Sequence, residues 1–224
     1  MPSAEMSPAA RLASIHERIA HAAKPARRSP ADVTLIAVSK THPVDAITPL
    51  LAAGQRDFGE NRVQEAQEKW PALREKWPDA RLHLIGQLQS NKAAEAVAVA
   101  DAIHAVDRPS LVTALAKAMD AQDKRPACFI QVNIGDEPQK GGCAIEELPA
   151  LLLEARSADL PLAGLMCLPP AEIEPAPYFA LLAKLARDHG LAGLSMGMSD
   201  DFETAVLLGA THVRVGSALF GPRG

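Results

Sequence analysis

The stretch VTLIAVSK, residues 33–40, contains an apolar run that ends at a lysine. Its aliphatic and β-branched residues are typical of a buried strand, and Lys40 stands where that strand stops. An ammonium group at the tip of a buried strand is costly to desolvate, whereas a neutral amine there can act as a nucleophile towards a carbonyl. The pattern therefore raises the hypothesis of a Schiff base at Lys40.

On either side of this stretch, β-like runs alternate with helical segments. Eight strands are predicted, at about 33–39, 55–59, 81–86, 101–106, 127–134, 160–167, 192–196 and 211–216. Seven helices are predicted between them, near 44–53, 61–75, 91–99, 109–122, 145–156, 176–189 and 200–208. A repeated strand–helix–strand order favours parallel strands that can close into a barrel. We therefore predict an α/β fold, a single (β/α)8 TIM barrel over residues 1–224.

An extra helix is predicted before the barrel, over residues 7–23, where Leu12, Ile15 and Ile19 have helical spacing. Residues 1–30 then form an N-terminal helix and a linker. Because few residues follow the last strand, this helix could occupy the place of the missing final helix of the outer ring. A doubly wound open sheet is the alternative, although no G-x-G-x-x-G follows the first strand.

Charge and composition argue against several classes of protein. The formal net charge of -4 and the pI near 6.0 make nucleic acid or an anionic membrane an unfavourable partner. The three cysteines are widely spaced, with no C-x-x-C, so neither a disulfide framework nor a zinc site is indicated. No run approaches the roughly 18 apolar residues of a membrane span, and no secretory signal is recognisable. We predict a cytoplasmic protein.

Glycines and hydroxyl residues follow the last two predicted strands, in SMGMSDD (residues 195–201) and VRVGSALFG (residues 213–221). The ends of parallel strands meet at one mouth of a barrel, and glycines there let the backbone approach a ligand closely. A hydroxyl and several backbone N–H groups would suit a phosphate. The residues predicted to hold it are Gly197, Ser199, Gly216 and Ser217.

Charged residues in the same loops need partners. Asp200 and Asp201 would repel a phosphate, so their side chains are expected to turn away, with one of them capping the next helix. The alternative is that Ser199 or Asp200 is an ordinary helix cap. Arg214 alternates with outward-facing valines on the last strand, so it needs an internal partner, either an aromatic nitrogen acceptor or a salt bridge.

Seven ordered motifs resemble those of the pyridoxal phosphate homeostasis proteins: LIAVSK, FGENRVQE, HLIGQLQSNK, QVNIGDEPQKGG, GLMCLPP, LSMGMSDD and VRVGSALFG. The resemblance spans residues 33–221. It implies a barrel of the alanine racemase N-terminal type without the second domain of that enzyme. It also implies pyridoxal 5'-phosphate (PLP) as the cofactor.

The resemblance further implies roles for individual residues. Lys40 matches the lysine that binds PLP as a Schiff base, and Arg214 matches the arginine that faces the pyridine nitrogen. The remaining matches are Ser199, Gly216 and Ser217 for the cofactor phosphate, and Asn61 and His83 as polar residues lining the same mouth.

The leading functional hypothesis is a monomeric PLP-binding protein of intracellular vitamin B6 homeostasis, without robust turnover, that delivers PLP to accepting apoenzymes. A permanent cation at the ring nitrogen makes the cofactor a poorer electron sink. Racemisation also needs an acid or base opposite Lys40, and the single tyrosine, Tyr178, falls on an outer helix. Lys140, beside two glycines, is a candidate second amine for imine exchange. A minimal PLP-dependent amino-acid racemase and a phosphate-binding barrel without cofactor remain as alternatives.

Overall fold

Eight parallel strands close into a barrel in the computed structural model, which describes residues 6–221. The strands are β1 (Thr34–Val38), β2 (Asp57–Glu60), β3 (Arg81–Leu84), β4 (Ala102–Val106), β5 (Ala127–Val132), β6 (Leu162–Cys167), β7 (Gly193–Ser195) and β8 (His212–Val215). Each strand pairs with the next along the chain, and β1 pairs with both β2 and β8. The predicted (β/α)8 barrel is confirmed, and the open doubly wound sheet is excluded.

Helices surround the barrel and connect successive strands. They are α1 (Pro8–Ala23), α2 (Val44–Ala52), α3 (Val63–Lys76), α4 (Ala93–Val99), α5 (Pro109–Gln122), α6 (Leu148–Ser157), α7 (Ala176–Asp188), α8 (Phe202–Leu207) and α9 (Ser217–Phe220). Short 3-10 helices lie at Pro30–Asp32, Ser90–Lys92 and Ile145–Glu147. Helix α9 was not predicted. Within residues 6–221, no helix combines the length and apolar character needed to cross a bilayer. The predicted domain also includes residues 1–5 and 222–224, which lie outside the described residues.

The N-terminal helix α1 completes the outer ring by packing against α2, α8 and α9. Arg11 Nε donates to the carbonyl oxygen of Leu219 in α9 at 2.5 Å. Arg18 forms an ion pair with Glu203 of α8, with Nη2 2.9 Å from Oε2. The predicted role of this helix, to fill the gap after the last strand, is therefore confirmed.

The apolar core lies mainly between the barrel and the helices. Val213 and Val215 face outward from β8 and are fully buried there. Strands β6 and β7 approach each other so closely that a Cβ added to Gly164 would lie 2.0 Å from the carbonyl oxygen of Gly193. Only glycine fits at such a contact.

The inside of the barrel is more polar than the branched aliphatic layers usual for this fold. His83, His104, Gln131, Ser195 and Arg214 are each at most 5% exposed. Buried polar groups need hydrogen-bond partners, so this interior must contain a connected polar network.

Candidate functional site

A cavity of about 330 Å³ opens at the carboxyl ends of the strands. This is the end of a parallel barrel where ligand sites are usually found. Six of the eight predicted site residues line it, and His83 and Gly197 do not. The complete lining is Val38, Lys40, Asn61, Ile85, Leu168, Met198, Ser199, Asp200, Arg214, Gly216 and Ser217.

Lys40 leaves β1 in a turn whose two flanking residues are held by side chains of α3. The carbonyl oxygen of Ser39 accepts a hydrogen bond from Lys69 Nζ at 3.0 Å. On the other side, the N–H of Thr41 donates to Glu65 Oε1 at 2.5 Å. Thr41 has a φ of 66°, in the left-handed region that β-branched residues rarely adopt. These contacts fix the backbone from which the half-buried Lys40 side chain reaches the cavity.

Glu60, at the end of β2, is fully buried beneath this turn. Its Oε1 accepts from the Ser39 hydroxyl at 2.7 Å and from Lys69 Nζ at 3.1 Å, and Lys69 also pairs with Glu65 at 2.5 Å. Burial raises the pKa of Glu60, and the Ser39 hydrogen bond and the Lys69 charge offset part of that rise. The sequence analysis missed this cluster, although the i,i+4 spacing of Glu65 and Lys69 was a signal for the helical ion pair.

The loops after β7 and β8 meet beside the same cavity. The N–H of Gly216 donates to Ser199 Oγ at 3.3 Å, and Ser217 follows at the start of α9. The N–H of Arg214 donates to the carbonyl oxygen of Gly197 at 2.9 Å, which joins the two loops. A hydroxyl and backbone donors thus converge where an anion was predicted to bind.

The two aspartates of this turn differ from the expectation. Asp201 is the N-cap residue of α8, but its side chain does not cap the helix; Oδ1 accepts from the N–H of Met198 at 2.5 Å instead. Burial raises the pKa of the Asp201 carboxyl. Asp200, whose side chain was expected to turn away from the site, is among the residues that line the cavity.

Gly197 sets the shape of this turn with a φ of +93°. A Cβ there would lie 2.6 Å from Ala205 Cβ and 2.9 Å from Phe202 Cα. We predict that Gly197→Ala lowers the free energy of unfolding by about 2 kcal/mol, because left-handed strain and overpacking add. The same turn carries Ser199, a predicted phosphate donor. Displacing its hydroxyl should weaken PLP binding about tenfold. Urea unfolding and PLP titration measure the two effects.

Gly54→Ala is the matched control for this substitution. Gly54 has a φ of +99°, but a Cβ there would meet no atom within 4 Å, and the residue lies outside the cavity lining. It should cost only the left-handed strain of about 1 kcal/mol and leave PLP binding unchanged. Equal losses of stability in both variants would contradict a special packing role for Gly197.

The guanidinium of Arg214 forms the inner wall of the cavity. Nη1 donates to Ser195 Oγ at 2.7 Å, and Nη2 donates to the carbonyl oxygen of Cys167 at 2.8 Å. Burial lowers the pKa of Arg214, although a guanidinium stays charged in proteins. Both acceptors are neutral, so the internal salt bridge left open by the sequence does not hold this group among residues 6–221.

His83 lies deeper than the sequence analysis placed it. Its Nε2 is 2.9 Å from Asp57 Oδ1, and its Nδ1 is 3.0 Å from His104 Nε2. Alternate residues of a strand point to the same side, so Ile85, two residues nearer the mouth, lines the cavity instead. The expectation that His83 lines the mouth is corrected: it belongs to the barrel interior.

Lys140 lies next to the site, in a second cavity of about 630 Å³ that shares part of its lining with the first. Its Nζ donates to the carbonyl oxygen of Pro169 at 2.7 Å and pairs with Glu137 Oε2 at 2.5 Å. Tyr178 packs against the core from α7, as expected. Among the residues that the structure describes, no cluster of metal-ligating side chains occurs.

The fold and the site define the class of alanine-racemase-type barrels. The family model described as alanine racemase, N-terminal domain, matches residues 11–224. A solved alanine racemase from Clostridium difficile 630 superposes with a TM-score of 0.70 at 14% identity, over 93% of this chain and 56% of that one. At that identity, the similarity shows the shared fold.

Higher identity is found with proteins named pyridoxal phosphate homeostasis protein. The one from Pseudomonas aeruginosa is 42% identical over 221 residues, which cover 95% of this chain and 94% of the relative. The one from Escherichia coli K12 is 40% identical over 235 residues, 95% of each chain. PipY of Synechococcus elongatus PCC7942, solved with PLP bound, is 39% identical with a TM-score of 0.85, over 96% of this chain and 100% of that one. This chain belongs to the pyridoxal phosphate homeostasis protein family.

Proposed function

We propose that this protein binds PLP in the barrel mouth and holds it for delivery within the cell. The observation that carries the proposal is the convergence of Lys40, the Ser199–Gly216 pair and Arg214 on one cavity. PLP presents a matching aldehyde, phosphate and pyridine nitrogen. The PLP-bound structure of PipY, a relative of similar length, supports the same ligand.

Each part of the cavity suits one part of the ligand. We propose that Lys40 holds the aldehyde carbon as a Schiff base, while Ser199, Gly216 and Ser217 donate hydrogen bonds to the phosphate. Arg214 is proposed to face the ring nitrogen. When bound, PLP supplies a reactive aldehyde conjugated to an electron-accepting ring. Asn61 lines the same cavity and is proposed to contact the ligand from the end of β2.

The same residues favour a carrier over an enzyme. The Arg214 cation disfavours protonation of the ring nitrogen and so weakens the ring as an electron sink. Tyr178 packs on an outer helix and does not provide a second base opposite Lys40. Within residues 6–221, Asp200 is the one acidic residue in the lining, so a minimal racemase would depend on it.

Transfer of PLP to an acceptor apoenzyme tests the proposal. Protein loaded with PLP should restore the activity of the apoenzyme, and single amino acids should show no multiple turnover. Turnover that is abolished by both Lys40→Ala and Asp200→Asn would favour the racemase. A protein that cannot be loaded with PLP would favour a phosphate-binding barrel without cofactor.

Lys140 is proposed to receive the aldehyde during this transfer, because its amine lies beside the cofactor cavity. Lys140→Ala is expected to slow transfer and to leave PLP binding unchanged. Lys184→Ala, on the exposed side of α7, is the control and should transfer at the wild-type rate. Equal rates for wild type and Lys140→Ala would remove Lys140 from the proposal.

The proposed partners are PLP and PLP-accepting apoenzymes, in the cytoplasm, with the protein acting as a monomer. The acidic net charge supports a surface with no general attraction for nucleic acid. Light scattering of the loaded protein checks the monomer, and a mass twice that of the chain would contradict it.

A further inference from the structure

A continuous row of hydrogen-bonded side chains runs through the barrel interior below the cavity. Arg214 Nη1 lies 2.7 Å from Ser195 Oγ, which lies 2.9 Å from His104 Nδ1. His104 Nε2 lies 3.0 Å from His83 Nδ1, and His83 Nε2 lies 2.9 Å from Asp57 Oδ1. Each member is at most 8% exposed. We call these five residues the interior row.

The interior row ends in opposite charges. At the mouth, the Arg214 guanidinium can only donate hydrogen bonds. At the other end, Asp57 Oδ2 also accepts from Arg81 Nη2 at 2.7 Å. Burial would raise the pKa of Asp57, but hydrogen bonds from His83 and Arg81 and the charge of Arg81 bring it below its usual value. Asp57 is therefore a carboxylate that can only accept.

These two ends leave one arrangement of protons in which every donor has an acceptor. Asp57 accepts from Nε2–H of His83, and Nδ1 of His83 accepts from Nε2–H of His104. His104 then accepts at Nδ1 from the Ser195 hydroxyl, whose oxygen accepts from Arg214. Full burial lowers the pKa of His104 well below its usual value, so this ring is neutral. The reverse direction would leave the Ser195 proton without an acceptor in the interior row.

We propose that Asp57, His83, His104 and Ser195 are positioning residues for Arg214. Their fixed donor direction keeps an oxygen lone pair of Ser195 aimed at the guanidinium and holds that group, charged and oriented, on the cavity wall. A carboxylate at the opposite end of the barrel thereby influences the ligand site. This inference rests on the proposed function, because Arg214 contacts the pyridine nitrogen only if PLP is the ligand.

His212 lies beside the interior row without being a member. Its ring packs against those of His83 and His104, but its Nδ1 lies 2.8 Å from Thr211 Oγ1. Burial lowers the pKa of His212 to about 4, so this ring is neutral near pH 7. The other ionisable groups that face the interior row are Arg81 at the Asp57 end, and Cys167 and Asp201 at the Arg214 end.

Nitrogen-15 NMR of the ligand-free protein, labelled at histidine, tests the direction of the interior row without PLP. Near neutral pH, His83 and His104 should each carry a proton on Nε2 and none on Nδ1. A proton on Nδ1 as the main form of either ring would overturn the inference. This measurement does not depend on the proposed function.

Variants of His104 test the effect on the ligand site, since this ring does not touch Arg214. His104→Leu should raise the Kd for PLP about tenfold, the cost of loosening one charged hydrogen bond, and shift the pH midpoint of the absorbance of the bound cofactor. His104→Gln, whose amide supplies a donor and an acceptor, should restore most of the affinity for PLP and most of the pH midpoint. His212→Leu is the matched control and should behave as wild type.

Two results in these variants would overturn the inference. One is wild-type Kd and pH midpoint in His104→Leu, and the other is an equal loss in His104→Leu and His212→Leu, which would indicate packing alone. If His104→Leu does not fold in a thermal unfolding check, Ser195→Ala replaces it, because it removes a single oxygen and should give the same shift. Failure of the wild type to bind PLP would defeat the proposed function, while the NMR result would still decide the direction of the interior row.

Discussion

Replacing Lys40 with alanine is expected to abolish the covalent attachment of PLP. A Schiff base needs a primary amine, and Lys40 is the lysine that lines the cavity together with the proposed phosphate loops. Noncovalent contacts from Ser199 and Gly216 would remain, so binding should weaken by at least about a hundredfold, or about 2.8 kcal/mol, without disappearing. The absorbance band of the Schiff base should be lost.

Borohydride reduction followed by peptide mass analysis is the direct measurement. In the wild type, the reduced adduct should lie on the peptide that contains Lys40, and in Lys40→Ala it should be absent. Lys40→Arg retains the positive charge but cannot form the imine, so it should also lack the adduct. Lys184→Ala, exposed on α7, should retain it. A full adduct on another lysine in the Lys40→Ala protein would contradict the assignment.

Replacing Lys69 with methionine is expected to destabilise the fold by about 3 kcal/mol, because it leaves the buried Glu60 carboxyl without its cation. Lys69 and Glu60 are 11% and 0% exposed at their side chains, so water provides little compensation. The same change frees the carbonyl oxygen of Ser39, which precedes Lys40, so PLP binding should also weaken. Urea unfolding gives the first quantity and PLP titration the second.

The stability deficit of Lys69→Met should grow with pH. Burial raises the pKa of Glu60 in the folded state, and removal of the Lys69 charge raises it further. Above the unfolded carboxyl pKa of about 4.3, the folded protein then holds more protons than the unfolded chain. The free energy of unfolding therefore falls as pH rises from that value towards the folded pKa.

Two further variants distinguish the buried pair from lysine pairs in general. Lys92→Met removes the more exposed Lys92–Glu95 pair and should cost much less stability, with no added fall towards neutral pH. Adding Glu60→Gln to Lys69→Met removes the buried acid and should abolish the extra fall with pH. A deficit in Lys69→Met that stays constant from pH 4 to neutral pH would argue against a buried, titrating Glu60.

The barrel and most of the site were predictable because they depend on local order along the chain. Alternating strand and helix patterns define the strands, and Lys40, Ser199 and Gly216 each follow the end of one. Parallel strands in a barrel bring such ends to a common mouth. These positions therefore follow from sequence order without knowledge of the packing.

The depth of side chains inside the barrel was not predictable in the same way. Depth depends on the stagger between neighbouring strands, which pairs His83 with Gly59 and Ala102. One strand read alone gives the side to which His83 points and not its height above the barrel floor. The contact of Glu60 with Lys69 depends likewise on how α3 packs over β2.

The contact between α1 and α9 has a consequence for the ligand site. Arg11 holds the carbonyl oxygen of Leu219, and the next residue, Phe220, stacks on His42 with ring centroids 4.3 Å apart. His42 lies two positions after Lys40, so α1 and α9 are connected through these contacts to the segment that carries the amine. The placement of the Lys40 segment thus depends on helices that are far apart in sequence, α1 and α9.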